Sequence, residues 1–311
     1  MTVHQIINDV CLAHGGAERI ARLLHTGLRE AGVDSRLVTV TDEGDGDIEA
    51  HTSLHEGSPY SARAIPLLAR YIRDHCRHED ILHAHLFPTL LFVSLAVRMT
   101  RWKGVVVCTE HSTWNRRRGK LRGRVIDRVL YAPYHGVACI SEGVKASLET
   151  WMPAITPRLR VIENGAALPY SCYPTRGAGE RAVIVSSGRL EHPKNYDTAL
   201  EALALLNDRD FEYRIAGVGP DFDGLMARAR KLGIENKVRF LGFVEDVPSL
   251  LQGGDVFLIP SLWEGFGLSA VEAMNAGLPV VASNVAGLRE VVGNGHECGV
   301  LVDPRDPASL K

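Results

Sequence analysis

The chain has 311 residues, about twice the roughly 150 that one ordinary α/β core needs, so two domains are expected. Hydrophobic residues make up 45% and charged residues 23%, which suits a folded globular chain and excludes a disordered one. The formal charge of −2 leaves no general basic field for nucleic acid.

The first residues, Met1 to Asn8, carry no basic leader and no long apolar stretch, so no secretory signal is expected. Short β-branched runs then alternate with amphipathic ones. Strands are predicted at Val3–Ile7, Ser35–Val40, Asp80–Ala84, Val105–Thr109, Gly136–Ile140 and Leu159–Ile162. Helices are predicted at Ala17–Ala31, Ala62–Cys76, Thr89–Thr100, Leu121–Ala132 and Gly143–Trp151. The longest apolar run, from about Phe87 to Val97, is too short to span a bilayer, so any membrane role is expected to be peripheral. Near Asn164-Gly165 the pattern stops, and 167–181, with Pro169, Pro174, Gly177 and Gly179, reads as a linker. It would join a domain at 1–166 to a second at 182–311. Alternation resumes with strands at Ala182–Ser186, Tyr213–Ala216, Val238–Leu241, Val256–Ile259, Val280–Ala282 and Val300–Val302. The intervening helices are expected at Asn195–Leu206, Phe222–Leu232, Val247–Gln252, Gly267–Asn275 and Leu288–Val292. Asp306 and Pro307 read as the N-cap and first position of another helix, at which the chain ends. Such alternation implies two α/β domains with parallel sheets covered on both faces, facing a cleft, with ligands at the carboxyl ends of the strands. Six scattered cysteines, Cys11, Cys76, Cys108, Cys139, Cys172 and Cys298, form no C-x-x-C pair and are expected as buried reduced thiols of a cytosolic protein.

The most informative stretch runs from Pro260 to Pro279. The strand at Val256–Ile259 delivers the chain to a turn holding Glu264, and Gly265 and Gly267 let the backbone approach a ligand. A helix follows from Leu268, and its free N–H groups suit a phosphate. Glu272 lies just over one turn along. Two carboxylates beside an anion site would repel it, so they are expected to address sugar or ribose hydroxyls. Read blandly, they are solvated acids at a helix start. Arg189 and Lys194 follow the strand at Val183–Ser186 and can converge on one diphosphate, the first as a fork and the second as a point charge. His111 ends the strand at Val105–Thr109, and His83 and His85 share one strand face. A zinc site would need a third convincing ligand, which is not visible. Two D-x-D triplets, Asp45-Gly-Asp47 and Asp221-Phe-Asp223, read as a solvated turn and a helix start respectively, not as metal sites. Arg116, Arg117, Arg118 and Lys120 begin a local basic cluster behind Trp114. Most such runs are solvated faces. Anionic headgroups would also attract it, at about 1 kcal/mol per cation, as would a polyanionic acceptor.

Glu264 and Glu272, spaced E-x7-E, occur with Gly15-Gly16-Ala-Glu18-Arg19, His83-Ala-His85, Thr109-Glu-His111, Ser141-Glu142, Asn164-Gly165, Ser187-Gly-Arg189, Lys194-Asn195, Ala216-Gly217-Val-Gly219-Pro220 and Gly242-Phe-Val-Glu-Asp246. In order and spacing this set resembles the retaining GT-B glycosyltransferases of classification family 4, over nearly the whole chain. The resemblance implies two Rossmann-like domains facing a cleft. Family members usually continue into a last helix crossing back to the first domain; that helix is not expected within these 311 residues, and a C-terminal piece is expected to be missing. It implies metal-independent, retaining transfer from a nucleotide diphosphate sugar, UDP- in preference to GDP-linked, with no cofactor. The acceptor is expected to be a lipid-linked glycan or a polysaccharide of the cell surface. On this resemblance Glu272 holds the ribose, Glu264 the sugar, and Arg189, Lys194 and the helix start at Gly267-Leu268 the departing diphosphate. The base rests near Gly242–Val244, with Gly217 and Val244 lining the donor site, and Gly16 faces the diphosphate. His111 lies by the donor sugar. The alternatives are a catalytically silent subunit that binds a partner enzyme, or an epimerase or phosphorylase of the same fold. The expected place is the cytoplasm, peripherally at an anionic membrane.

Overall fold

The alternation is realised as two parallel sheets in a computed structural model of the chain, which describes residues 1–11, 15–42, 48–166, 181–293 and 299–310. The chain divides into two compact units, Met1–Asn164 and Gly165–Lys311. The linker expected at 167–181 lies almost wholly outside the described residues.

In the first unit the elements run β1 (Thr2–Ile7), α1 (Gly16–Glu30), β2 (Asp34–Thr41), β3 (His51–Glu56), α2 (Ala64–His75), β4 (Ile81–His85) and α3 (Thr89–Thr100). They continue with β5 (Val105–Glu110), α4 (Leu121–Tyr131), β6 (Gly136–Cys139), α5 (Glu142–Trp151) and β7 (Leu159–Val161). The sheet order is β3-β2-β1-β4-β5-β6-β7, so the winding reverses between β1 and β4. Central strands are buried on both faces: Ile6, Ile7, Leu37, Val38, Val40, Leu82 and Ala84 are all inaccessible to solvent. That is why these strands read as continuous apolar runs. α5 starts at a true cap, Ser141 Oγ accepting the Val144 N–H at 3.1 Å.

The second unit holds β8 (Ala182–Ser187), α6 (Tyr196–Ala204), β9 (Phe211–Ala216), α7 (Phe222–Lys231), β10 (Val238–Gly242) and α8 (Val247–Gln252). It ends with β11 (Val256–Ile259), α9 (Leu268–Asn275), β12 (Val280–Ser283), α10 (Ala286–Val292) and β13 (Gly299–Val302). Here the order is β10-β9-β8-β11-β12-β13, with the reversal between β8 and β11. One face packs Val183, Val185, Phe257, Ile259 and Ala282 under α9 and α10. The other packs Tyr213, Ile215 and Leu258 under α6 and α7. In open α/β sheets ligands gather beyond the carboxyl ends of strands at such reversals.

Three features depart from the sequence reading. β3 was not expected: its residues, His-Thr-Ser-Leu-His-Glu, lack an apolar run because it is the outermost strand, paired only with β2. Residues 303–310 form hydrogen-bonded turns instead of opening a helix, with Asp306 Oδ1 accepting the Ala308 N–H at 2.9 Å. Cys108 and Cys139 are buried free thiols, whereas Cys11 and Cys76 are only half-buried; Cys172 and Cys298 lie outside the described residues.

Candidate active site

The reversal point of the second sheet joins the loops after β8 and β11. Lys194, at the end of the turn His192–Lys194 that follows β8, donates from Nζ to Glu264 Oε1. The same oxygen accepts the Ser261 hydroxyl at 2.9 Å, and Ser261 is fully buried. The backbones are tied as well: the Leu262 N–H donates to Pro193 O at 2.9 Å, and Asn195 Nδ2 donates to Pro260 O at 2.9 Å. Glu264 is therefore a fixed carboxylate beside a cation, not a solvated acid at a helix start. Gly267 then caps α9 at φ 99°, a left-handed conformation, and a Cβ there would lie 2.5 Å from Leu288 Cδ2. At the start of α9 the N–H groups of Ala270 and Val271 both donate to Gly267 O, at 2.9 and 3.2 Å. Glu272, in the second turn of the same helix, is buried at 5% exposure. Arg189 pairs with Glu191 at 2.5 Å and is about half exposed. Arg189 and Lys194 thus lie on one loop, each paired with a different carboxylate.

The neighbouring loops close on each other backbone to backbone. Gly188 N–H donates to Ala216 O at 2.9 Å, and Leu190 N–H to Val218 O at 3.0 Å. A Cβ on Gly217 would lie 2.0 Å from Gly188 O, so only glycine allows this approach. Gly242 O accepts the Gly217 N–H at 2.7 Å, which brings the end of β10 to the same place. Val244 packs against the core while Phe243 beside it is half exposed. Asp221 and Asp223 open α7 as expected, and Asp45 and Asp47 lie outside the described residues.

The first sheet presents a row of polar side chains at its own reversal. Gln5 of β1 is in register with His83 of β4, and His85 with Thr109 of β5, so these side chains share one face with His111 just beyond β5. His85 Nε2 lies 2.7 Å from Gln5 Oε1, and its Nδ1 lies 3.2 Å from His111 Nε2. His83 Nε2 bonds Thr109 Oγ1 at 2.7 Å. Burial pushes the imidazole of His83 down to about 4 and that of His111 down to about 3. Among the described residues no group of three or more His, Cys, Asp or Glu is placed to hold a metal ion. The role of Gln5 in this row was not readable from sequence, because a glutamine inside an apolar strand carries no motif. Gly16 is the first residue of α1, which rises from the carboxyl side of β1, with 12–14 outside the described residues.

The basic loop divides. Arg117 and Arg118, expected on a cationic surface, turn inward. Arg117 Nε donates to the buried Asp127 at 2.8 Å and its guanidinium stacks 3.9 Å over the Phe87 ring. Arg118 donates to Ser147 Oγ at 2.6 Å and lies 3.7 Å from Glu110. Burial pushes the Glu110 carboxyl up, partly offset by Arg118 and by the Tyr131 hydroxyl that donates to it. Charges in a run need not share a face: Arg117 and Arg118 reach Asp127 and Ser147 while Arg116 beside them stays exposed. Arg116 and Lys120 remain exposed, with Trp114 at 47%, Leu121 at 82% and Val125 at 60% beside them.

Residues 14–168 match the family described as Glycosyltransferase Family 4, and residues 175–311 match Glycosyl transferases group 1. Glycogen synthase of Mycobacterium tuberculosis is 32% identical over 254 residues, covering 76% of this chain and 59% of that one. D-inositol 3-phosphate glycosyltransferase of Salinispora tropica is 30% identical over 270 residues, 75% of this chain and 55% of that one. The matched region thus spans less than two thirds of the length of these relatives. Among solved structures, HepE of Anabaena with UDP and glucose superposes with a TM-score of 0.80 at 21% identity, over 99% of this chain and 87% of that one. Sucrose-phosphate synthase of Thermosynechococcus elongatus gives 0.80 at 20% identity, over 100% and 88%. Two doubly wound parallel sheets with polar groups at their reversal points are the GT-B class of fold. Within that class the chain belongs to glycosyltransferase family 4, whose C-terminal half is the glycosyl transferases group 1 domain.

Proposed function

We propose that the chain moves a sugar from a nucleoside diphosphate sugar to a lipid-linked or polysaccharide acceptor, retaining anomeric configuration and using no catalytic metal. The observation that carries this reading is the Lys194–Glu264 pair at the mouth of α9, with Glu272 on the same helix. Lys194 and Arg189 balance the charge that develops on the leaving diphosphate, a role otherwise taken by a divalent ion. The opening N–H groups of α9 receive a phosphate oxygen. Glu264, fixed by Ser261, accepts sugar hydroxyls, and Glu272 accepts those of the ribose. The base rests against Val244. His111 meets a substrate hydroxyl at the carboxyl edge of the first sheet. No carboxylate is assigned as a nucleophile, so the acceptor attacks the face that the diphosphate leaves, and the leaving phosphate takes its proton. UDP is favoured over GDP by the neighbour HepE, whose structure holds UDP.

A lipid-linked acceptor is favoured by the exposed face of α4, where Leu121 and Val125 stand beside Arg116, Lys120 and Arg122. Apolar and cationic groups together suit an anionic membrane surface on its cytoplasmic side. No helix among the described residues is long and apolar enough to cross a membrane. The test is a panel of UDP-glucose, UDP-galactose, UDP-N-acetylglucosamine and GDP-mannose, read by released nucleotide with and without lipid-linked oligosaccharide. One donor should release nucleotide faster when acceptor is present. Release from none, with acceptor supplied, would contradict the proposal.

A further inference from the structure

The histidine row at the first sheet's reversal specifies more than burial. Gln5 is 1% exposed and His85 is fully buried, so neither nitrogen of His85 is offered to water. A carboxamide oxygen has no proton to give, so His85 Nε2, 2.7 Å from Gln5 Oε1, must be the donor. A neutral imidazole carries one N–H, which leaves His85 Nδ1 as an acceptor. The group facing that nitrogen at 3.2 Å is His111 Nε2, which must then donate. The proton of each ring is thus dictated by the next partner inward, and the series ends on Gln5 of the central strand.

We infer that Gln5 and His85 are positioning residues that lock His111 in its Nε2–H tautomer, so that its Nδ1 is a bare acceptor for a substrate hydroxyl. This rests on the proposed contact of His111 with substrate. It goes further in excluding donation by His111, which the opposite tautomer would permit. Burial lowers the basicity of both rings, which keeps them neutral and keeps one lone pair on each. His111 is only half-buried, and among the described residues its Nδ1 makes no hydrogen bond. His83 stands outside the series: its ring lies 4.2 Å from that of His85, but its Nε2 is taken by Thr109.

The test is two-bond proton–nitrogen correlation on the full 15N-labelled chain at neutral pH, with His111→Ala assigning the signal. His111 should show a pyrrole-like Nε2 and a pyridine-like Nδ1. Gln5→Met removes the acceptor at similar size; the His111 signals should then shift toward mixed tautomers. kcat with the best donor of the panel should fall about five- to tenfold, one neutral hydrogen bond, with donor KM within about twofold. A protonated Nδ1 in the unaltered chain would overturn the inference, and so would unchanged tautomer and kcat in a folded Gln5→Met. If His111→Ala turns over normally while the unaltered chain shows the expected tautomer, the contact with substrate fails and the lock stands.

Discussion

Lys194 and Glu264 are 70 residues apart in sequence, yet Nζ of one donates to Oε1 of the other. Both are mostly shielded, at 27% and 13% side-chain exposure, and the contact joins the loops of adjacent strands β8 and β11. If this pair serves the proposed donor site, its cation and carboxylate are set before substrate arrives, and little reorganisation is left for the transition state. Lys194→Ala should therefore lower kcat by about 10²–10³-fold, by analogy with the loss of one oxyanion donor. Glu264→Gln should also lower it. The double variant should fall short of the sum, because the two groups act on each other. Steady-state kinetics of the single and double variants measure this; full turnover in Lys194→Ala removes the residue from the mechanism.

Two histidines of lowered basicity predict an acid-sensitive fold. His83 and His111 titrate near 4 and near 3 in the folded chain, below the ordinary value of about 6.5 that holds when unfolded. Between those limits the unfolded state binds more protons than the native one, so stability rises with pH across that window. The urea midpoint should fall as pH is lowered from about 7 to 4, and the fall should shrink in His83→Gln. A slope as steep in the variant as in the parent would exclude His83 as a contributor.

Much of this was legible in the sequence because the central strands are buried on both faces and so spell out continuous apolar runs. The turn from Ile259 to Leu268 was legible for a similar reason: strand, paired glycines and helix leave few other conformations. Other features were not. β3 is polar because it forms an edge, and its pairing depends on β2, not on its own pattern. The inward turn of Arg117 depends on Asp127, ten residues on and one face of α4 away, which a count of charges cannot reveal. Ser261 and Gln5 are ordinary residues until the loops beside them are in place.

That inward turn separates stability from surface charge. Asp127 is fully buried and accepts both Arg117 Nε and Trp151 Nε1, each at 2.8 Å. Asp127→Ala leaves a shielded guanidinium without its partner and should cost about 3–5 kcal/mol in urea unfolding. Arg116→Ala, at an exposed position, should change stability by no more than about 0.5 kcal/mol. It should weaken binding to vesicles containing phosphatidylglycerol. Equal stability losses in the two variants would mean that the basic loop acts as one solvated run.

If Lys194 and Arg189 carry the charge of the leaving group, transfer should persist after dialysis against EDTA. Rates within about twofold of the untreated protein are expected, since the cations that replace the metal are part of the chain. A loss restored by magnesium or manganese would contradict this assignment.

The most direct measurement is calorimetric titration of UDP, and separately of GDP, into the unaltered chain and into Glu272→Gln. One nucleotide should bind at a single site, and the substitution, which removes a charge-assisted bond of about 1.5–3 kcal/mol, should weaken it roughly ten- to hundredfold. Binding of neither nucleotide, or equal affinity in the two proteins, would contradict a donor site built on α9.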